Sequence, residues 1–297
     1  MRAIKNEKKK LLSLENLVRK AGQSELASIG SVVNRIMQLI RNPNSSALEL
    51  KALIEIDPPL CAKILRRANS AYYGLKRRVS AIQEAIVMIG FNNIREMTLS
   101  LKVGKLFEDE KEIGSYSRKK LWKHSLAVAL CGKNIYRKEF REHGDDIYSA
   151  ALLHDIGIMA EEQFMPEFFQ ELMLETAESK SLFIEREKAL AGYDHTDVGR
   201  DLTLSWKLPE EMTKAIAFHH RPLGVNPDFA KLTMTISIAE HICNINGLGF
   251  EGSSETQSEN YLSCLSNLKL ERDNVEIIFE DVQTELERME NAGELYP

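Results

Sequence analysis

The sequence holds no apolar run approaching the roughly 20 residues that a membrane-spanning helix requires, so no span is expected. Its basic beginning, residues 1–20, lacks the contiguous apolar stretch of a secretory signal. The leucines at 11, 14 and 17 read instead as one face of a short amphipathic helix. Cysteine is scarce: Cys61, Cys131, Cys243 and Cys264 are scattered, and no two form a Cys-x-x-Cys pair. That argues against a disulfide framework or a structural zinc knuckle and fits reduced thiols, so a cytoplasmic location is expected. Strand signals are weak, and there is neither an internal repeat nor a sustained heptad.

What is present is ordinary for a globular protein. Apolar residues make up 43% of the 297-residue chain, enough for one large core or two modest ones. The mild net negative charge is unevenly spread, with a basic first third (Arg66, Arg67, Lys76, Arg77 and Arg78 among others) and an acidic tail from Glu251 onward. A basic front can meet nucleic acid, nucleotide phosphates or an acidic partner. With no helix-turn-helix pattern and a negative total charge, nucleic acid is the least favoured of these, and a solvated face balanced by the tail is the plainer reading.

Helical periodicity dominates. Helices are expected at 31–40, at 47–56 after a break at Asn42-Pro43-Asn44, and from Pro58 with Asp57 as N-cap. Ser80 is expected to cap a helix closed by Gly90, and another runs over 94–107. The polar stretch 109–117 reads as a linker. Beyond it, helices are expected at 118–138, 145–159, 166–180, 181–190, 195–206, 209–220 and 229–244. A Gly/Ser/Glu-rich loop over 247–260 and a last helix over 273–290 follow. The fold class is therefore all-α. It divides into an N-terminal segment (1–20), a helical lobe (21–110), a larger helical bundle (118–246), and a loop with a C-terminal helix (247–297).

The informative residues are the histidines. His219 continues the stripe Met212, Ala215, Ile216. His124 lies in the stripe Leu121, Ser125, Val128, and His195 in Val198, Gly199, Leu202. His154 shares a face with Ile147, Ala150, Ala151 and Ile158, and Asp155 one with Tyr148, Leu152 and Met159. One such histidine is usually a satisfied core residue. Four helices each turning a titratable group inward imply groups that satisfy one another, around a metal or in a hydrogen-bonded cluster. Histidine nitrogens with carboxylate oxygens suit a divalent Zn, Fe, Mn or Ni ion without selecting among them. His143 and His241 read as solvent-facing or outer residues, Trp122 and Trp206 as core.

Local words carry an identity. Leu152-Leu153-His154-Asp155-Ile156-Gly157 resembles the motif that names the HD superfamily of metal-dependent phosphohydrolases. Ile54-Glu55-Ile56-Asp57-Pro58-Pro59-Leu60 is similar to an HDOD pattern, and so is the stretch from Ile64 to Gly74. So too are Ala85 to Gly90, Leu121 to Ser125, Asp194 to Gly199, Ser205 to Pro209 and Ile216 to His220. Over roughly residues 25–245 the chain thus resembles the HDOD family, regulatory modules of bacterial signalling. The resemblance implies an HD-like second lobe and one metal set of His124, His154, Asp155 and Glu240. His195, His219 and His220 would help hold a second ion. Asp155 would bridge the two and, in an active enzyme, orient the nucleophile.

Two functions follow. One is a regulatory protein with a metal centre that works through a signalling partner or a nucleotide ligand; residues 69–74 with their basic flanks are its candidate contact surface. The other is a metal-dependent phosphodiesterase acting on a nucleotide or cyclic dinucleotide. Against full activity stand Ile158, where HD-GYP phosphodiesterases carry lysine, and His219-His220-Arg221-Pro222, which lacks their following glycine and tyrosine. Glu240, one methylene longer than the aspartate of the superfamily, points the same way. No receiver, GGDEF or EAL segment is visible, so output must pass through a partner, a ligand or an activity of the lobe itself.

Overall fold

Side chains able to cap a helix decide where several helices begin. In the computed structural model of the protein, residues 13–41, 46–109, 111–179, 181–249 and 259–296 are described. The segment before Ser13, the Asn42–Asn44 break and most of the expected Gly/Ser/Glu-rich loop lie outside them. Ser13 accepts from the Asn16 N–H to open α1 (Leu14–Ala21), which leads through a turn into α2 (Glu25–Arg41). Ser46 and Glu49 form a reciprocal capping box on α3 (Ala47–Glu55). Asp57 caps α4 (Pro58–Ala68), whose first residue is a proline with no N–H to lose.

Two expectations fail nearby. Ser80 does not cap α5 (Ile82–Ile89): the N-cap is Ala81, and the Ser80 N–H donates to the Glu84 carboxylate at 3.1 Å. The next helix, α6 (Phe91–Gly104), starts at once rather than at Ile94. Gly90, at φ +100°, both ends α5 and begins α6, a conformation that few other residues adopt. The stretch read as a linker holds a short antiparallel hairpin. Glu112 pairs with Ser117 and Ile113 with Tyr116, turning at Gly114 with φ +61°. Buried Ile113 and Tyr116 anchor it to the core.

The second half is built around α7 (Arg118–Ile135), which is buried on nearly every side and packs against α8 (Asp145–Leu152), α14 (Ala230–Ile245) and α16 (Arg272–Asn291). Between α8 and α14 run α9 (Ile156–Phe164), α10 (Pro166–Ser179), α11 (Phe183–Ala191), α12 (His195–Ser205) and α13 (Glu210–Phe218). The last connection carries α15 (Glu259–Leu268). The architecture is all-α, with the hairpin as its only strands among the described residues.

Two apolar clusters hold these helices. The smaller runs from Leu50 to Leu101 and is contributed by α3 to α6 with Val79. The larger gathers the second half together with α1 and α2. α2 comes so close to the end of α12 that a Cβ on Gly30 would sit 2.3 Å from the Trp206 ring. The uneven charge is partly spent inside the molecule. Arg67 of the basic front pairs with Glu294 of the acidic tail at 3.2 Å, and Trp122 donates to the Leu295 carbonyl at 2.7 Å. Burial of Trp122 and Trp206 agrees with their assignment to the core.

Candidate metal centre

The stretch 145–159 is not the single helix its periodicity suggests. α8 ends at Leu152, residues 153–155 form a turn, and α9 begins at Ile156. His154 and Asp155 therefore sit on a corner instead of a helix face. Asp155 occupies the N-cap position of α9, yet its carboxylate caps nothing. An aspartate there ordinarily accepts a backbone N–H of the first turn. Here the carboxylate is turned inward, and the local preference yields to the surroundings.

Five histidines surround it. His124 comes from the second turn of α7 and His195 from the first residue of α12. His219 and His220 follow the end of α13, which stops at Phe218 just before Pro222 rather than continuing through His220. The Asp155 carboxylate lies 3.2 Å from His154 Nε2, 3.6 Å from His124 Nε2, 3.5 Å from His195 Nε2 and 3.6 Å from His219 Nε2. Glu240, on α14, is 4.0 Å from His219 Nε2 and 3.5 Å from His220 Nε2. All seven residues named from the sequence thus come together. They fall into overlapping groups of Asp155, His195, His219, His220; His124, His154, Asp155; and His154, His219, Glu240. His143 is exposed, and His241 stacks on Tyr261 with centroids 4.2 Å apart.

The outer ring nitrogens decide which inner nitrogens can ligate. His124 Nδ1 meets the Leu248 carbonyl at 2.6 Å, and His154 Nδ1 the Ala151 carbonyl at 2.7 Å. His219 Nδ1 meets the Ile216 carbonyl, also at 2.7 Å. A carbonyl only accepts, so each Nδ1 carries the proton and each Nε2 presents a lone pair inward. His195 Nδ1 is held by the Glu187 carboxyl at 2.7 Å, an arrangement typical of metal-bound histidines. His154 Nε2, His219 Nε2 and Asp155 Oδ1 are buried with no hydrogen-bond partner among the described residues. Lone pairs facing one another in a dry interior are unfavourable unless a cation lies between them.

The spacing suits one. Ligand atoms about 2.1 Å from a common ion stand about 3.0 Å apart at right angles and about 3.4 Å apart at the tetrahedral angle. His195 Nε2 and His220 Nε2 are 3.0 Å apart, and the Asp155 contacts run from 3.2 to 3.6 Å, around and slightly beyond the tetrahedral spacing.

Electrostatics favour neutral imidazoles at His124, His219 and His220 and an ionised Asp155, while His154 is drawn toward its charged form. Burial, with the neighbouring His154, pushes His124 down to about 4. Burial likewise pushes His219 down to about 4, against the pull of Asp155. His220 is driven down by burial and by His219 and His195. For His154, burial is outweighed by Asp155 and Glu240, which raise it. Burial alone would raise Asp155, but His154, His219 and His195 hold it well below the carboxylate range. Glu240 is pushed up to about 7 by burial. Neutral histidines and an ionised aspartate are the forms that bind a divalent ion.

Several supporting residues are not picked out by sequence reasoning. Glu187, on α11, is fully buried and orients His195; Glu161, on α9, lies behind it, and burial with the Glu187 charge pushes its carboxyl well up. Both are charged residues on inward helix faces, the signal that exposed the histidines. Gly157 is the other omission. A Cβ there would meet the His195 carbonyl oxygen at 2.0 Å, so only glycine lets α9 and α12 bring Asp155 and His195 together. The cluster opens on a cavity of about 60 Å³ with an apolar rim of Ile158, Leu182, Phe183 and Ile184.

The candidate contact stretch 69–74 has internal duties. Asn69 bonds the Leu65 carbonyl and both backbone groups of Val79, and the Tyr72 hydroxyl donates to Glu285 at 2.7 Å.

Comparison with known proteins agrees with this architecture. The HDOD domain family model matches residues 26–222. The structure is similar to an HDOD domain protein of unknown function from Geobacter sulfurreducens, at 27% identity and a TM-score of 0.76, covering 89% of this chain and 91% of that one. A protein of Marinobacter aquaeolei VT8, assigned by its name to signal transduction, shares the fold at 22% identity and a TM-score of 0.73, over 89% of this chain and 58% of that one. An uncharacterized protein of Treponema pallidum (strain Nichols) is 24% identical over 220 residues, 72% of this chain. The chain spans 41% of the length of that curated relative. No helix among the described residues is long and apolar enough to cross a membrane.

Proposed function

The chain belongs to the HDOD domain family, and from that premise we propose that it is a bacterial signal-transduction module. It holds a divalent metal in its second lobe and acts by binding a partner or ligand. The supporting observation is the set of inward lone pairs on His154, His219 and Asp155, buried and unpartnered. His124, His154, Asp155 and Glu240 would hold one ion, and His195, His219 and His220, sharing Asp155, a second. Such an ion supplies Lewis-acid polarisation and positive charge.

The protein's own contribution is to fix the ligands. The carbonyls of Leu248, Ala151 and Ile216 set three tautomers, Glu187 orients the His195 ring, and Gly157 brings Asp155 within reach of His195. The apolar rim limits the access of water. Ile158 on that rim offers no titratable group to a reacting phosphate, which favours a binding role over turnover.

A phosphohydrolase is the second reading, favoured by the position of Asp155 between the two histidine groups. Elemental analysis of the purified protein, beside His154→Ala and Asp155→Ala, tests the centre. A divalent metal is expected in the wild type and is lost in both variants; a metal-free wild type that does not take up Zn, Fe, Mn or Ni overturns the proposal. A panel of phosphodiesters including cyclic di-GMP separates the two readings. Turnover abolished by Asp155→Ala would establish the enzyme.

A further inference from the structure

The cavity over the candidate metal centre has two unlike faces. Its floor is the centre itself, reached by His124, Asp155, His195, His220 and Glu240. Its rim is hydrocarbon, from Ile158, Leu182, Phe183 and Ile184. One polar side chain outside the ligand set joins the lining: Asn244, one helical turn beyond Glu240 on α14 and therefore on the same face. Asn244 is half-buried, and its side-chain amide has no hydrogen-bond partner among the described residues. No lysine or arginine lines the cavity.

Charge calls for an anion. Two divalent ions outweigh the carboxylates of Asp155 and Glu240, and they still outweigh them when Glu187, which touches His195, is added. At least one positive charge is left for a ligand to balance, and the lining offers nothing else that could do so.

Size and polarity narrow the class. An apolar cavity of about 150 Å³ holds one benzene. At about 60 Å³, this one has room for a small acid head and a short tail but for no ring. A phosphate turns oxygens outward as well as inward, and the outward ones would meet the hydrocarbon rim with no cation to pair them. A carboxylate carries both oxygens on one side and hydrocarbon on the other, which is the pattern of this cavity. The free N–H groups of Asn244 suit one of those oxygens.

Resting on the reading of the centre as two divalent ions that share Asp155, we propose that the ligand taken by this module is a short-chain monocarboxylate of the acetate or propionate class. Its carboxylate faces the centre and accepts an N–H from Asn244, and its alkyl group lies among Ile158, Leu182, Phe183 and Ile184. Titration calorimetry tests this on the whole chain loaded with zinc or manganese, in carboxylate-free buffer, with metal content measured on the same sample. Acetate is expected to bind saturably. Formate, which has no methyl group to bury, is expected to bind about fourfold more weakly. Inorganic phosphate should bind more weakly than acetate, and benzoate should give no heat.

Two variants that keep every metal ligand sharpen the test. Asn244→Ala should weaken acetate about tenfold. Ile184→Lys, at a half-buried rim position, should raise the affinity for phosphate relative to acetate. A chain that holds two ions yet gives no heat with acetate overturns the proposal and leaves the metal reading standing. Uptake of fewer than two ions of either metal overturns the two-ion reading and the proposal with it. With two ions in place, phosphate binding more tightly than acetate, or formate or benzoate binding as tightly, also overturns it. So does undiminished acetate binding by Asn244→Ala, or a phosphate-to-acetate ratio that Ile184→Lys leaves unchanged.

Discussion

The metal centre and the seam between the first helices and α7 both bury charged and polar side chains, and they do so in opposite ways. At the seam, cations meet anions: Arg95 lies 2.7 Å from Asp145, Lys133 pairs with Glu96, and Arg67 with Glu294. At the centre, no lysine or arginine reaches the cluster among the described residues, and His154 Nε2, His219 Nε2 and Asp155 Oδ1 are buried without a hydrogen-bond partner there. A buried group with a built-in partner is explained by structure alone. A buried set of lone pairs facing one another is relieved when a cation lies among them. That contrast, more than the presence of histidine and aspartate, marks the histidine cluster as the candidate site.

The contrast can be broken most severely at Asp155. Asp155→Ala removes the carboxylate shared by both ligand groups, and metal content by elemental analysis should fall to background; full retention would show that the cluster does not bind through it. At the seam, Arg95→Met leaves Asp145 without its cation. It should destabilise the fold by about 3–5 kcal/mol in urea unfolding while the folded protein keeps its metal. Loss of metal without loss of stability would reverse the roles assigned to the two regions.

A smaller effect is expected at Glu187→Gln, which leaves the ligands intact but loosens the hold on His195. Metal affinity, followed by competition with a chelator, should drop about 10- to 100-fold. An unchanged affinity would reduce Glu187 to packing. The smallest effect belongs to a pair outside both regions. Asp57 caps α4, and its carboxyl is held below its usual value first by the hydrogen bond from Lys102. Its folded value lies below the unfolded 3.8, so its contribution is present above that pH and fades as pH falls below it. Asp57→Ala should cost about 1 kcal/mol at neutral pH, and thermal melts of variant and wild type should converge in acid.

How much of this was legible in the chain depends on the range of the interaction concerned. The capping residues Ser46 and Asp57 act on N–H groups three residues away, and both are readable. Ser80 shows the limit: the serine was in place, but the helix began one residue later and its N–H went to Glu84. The histidines were legible because a polar group on an apolar helix face is conspicuous whatever its partner. The break at residues 153–155 was not, since Leu152 and Leu153 continue the helical pattern and only the inward turn of Asp155 interrupts it.

By itself, the sequence determined that the chain is helical, where many helices start, and that His124, His154, Asp155, His195, His219, His220 and Glu240 are candidates for one centre. These follow from periodicity and from resemblance in short words, which need no knowledge of distant contacts. Only the tertiary structure decided that these seven converge, that their outer nitrogens are pinned so the inner ones face each other, and that Glu187 and Gly157 hold the arrangement. The reason is physical. A tautomer, an unpartnered lone pair or a 2.0 Å approach at a glycine exists only between segments brought together by packing, here α9 against α12 and α7 against the residues after α14.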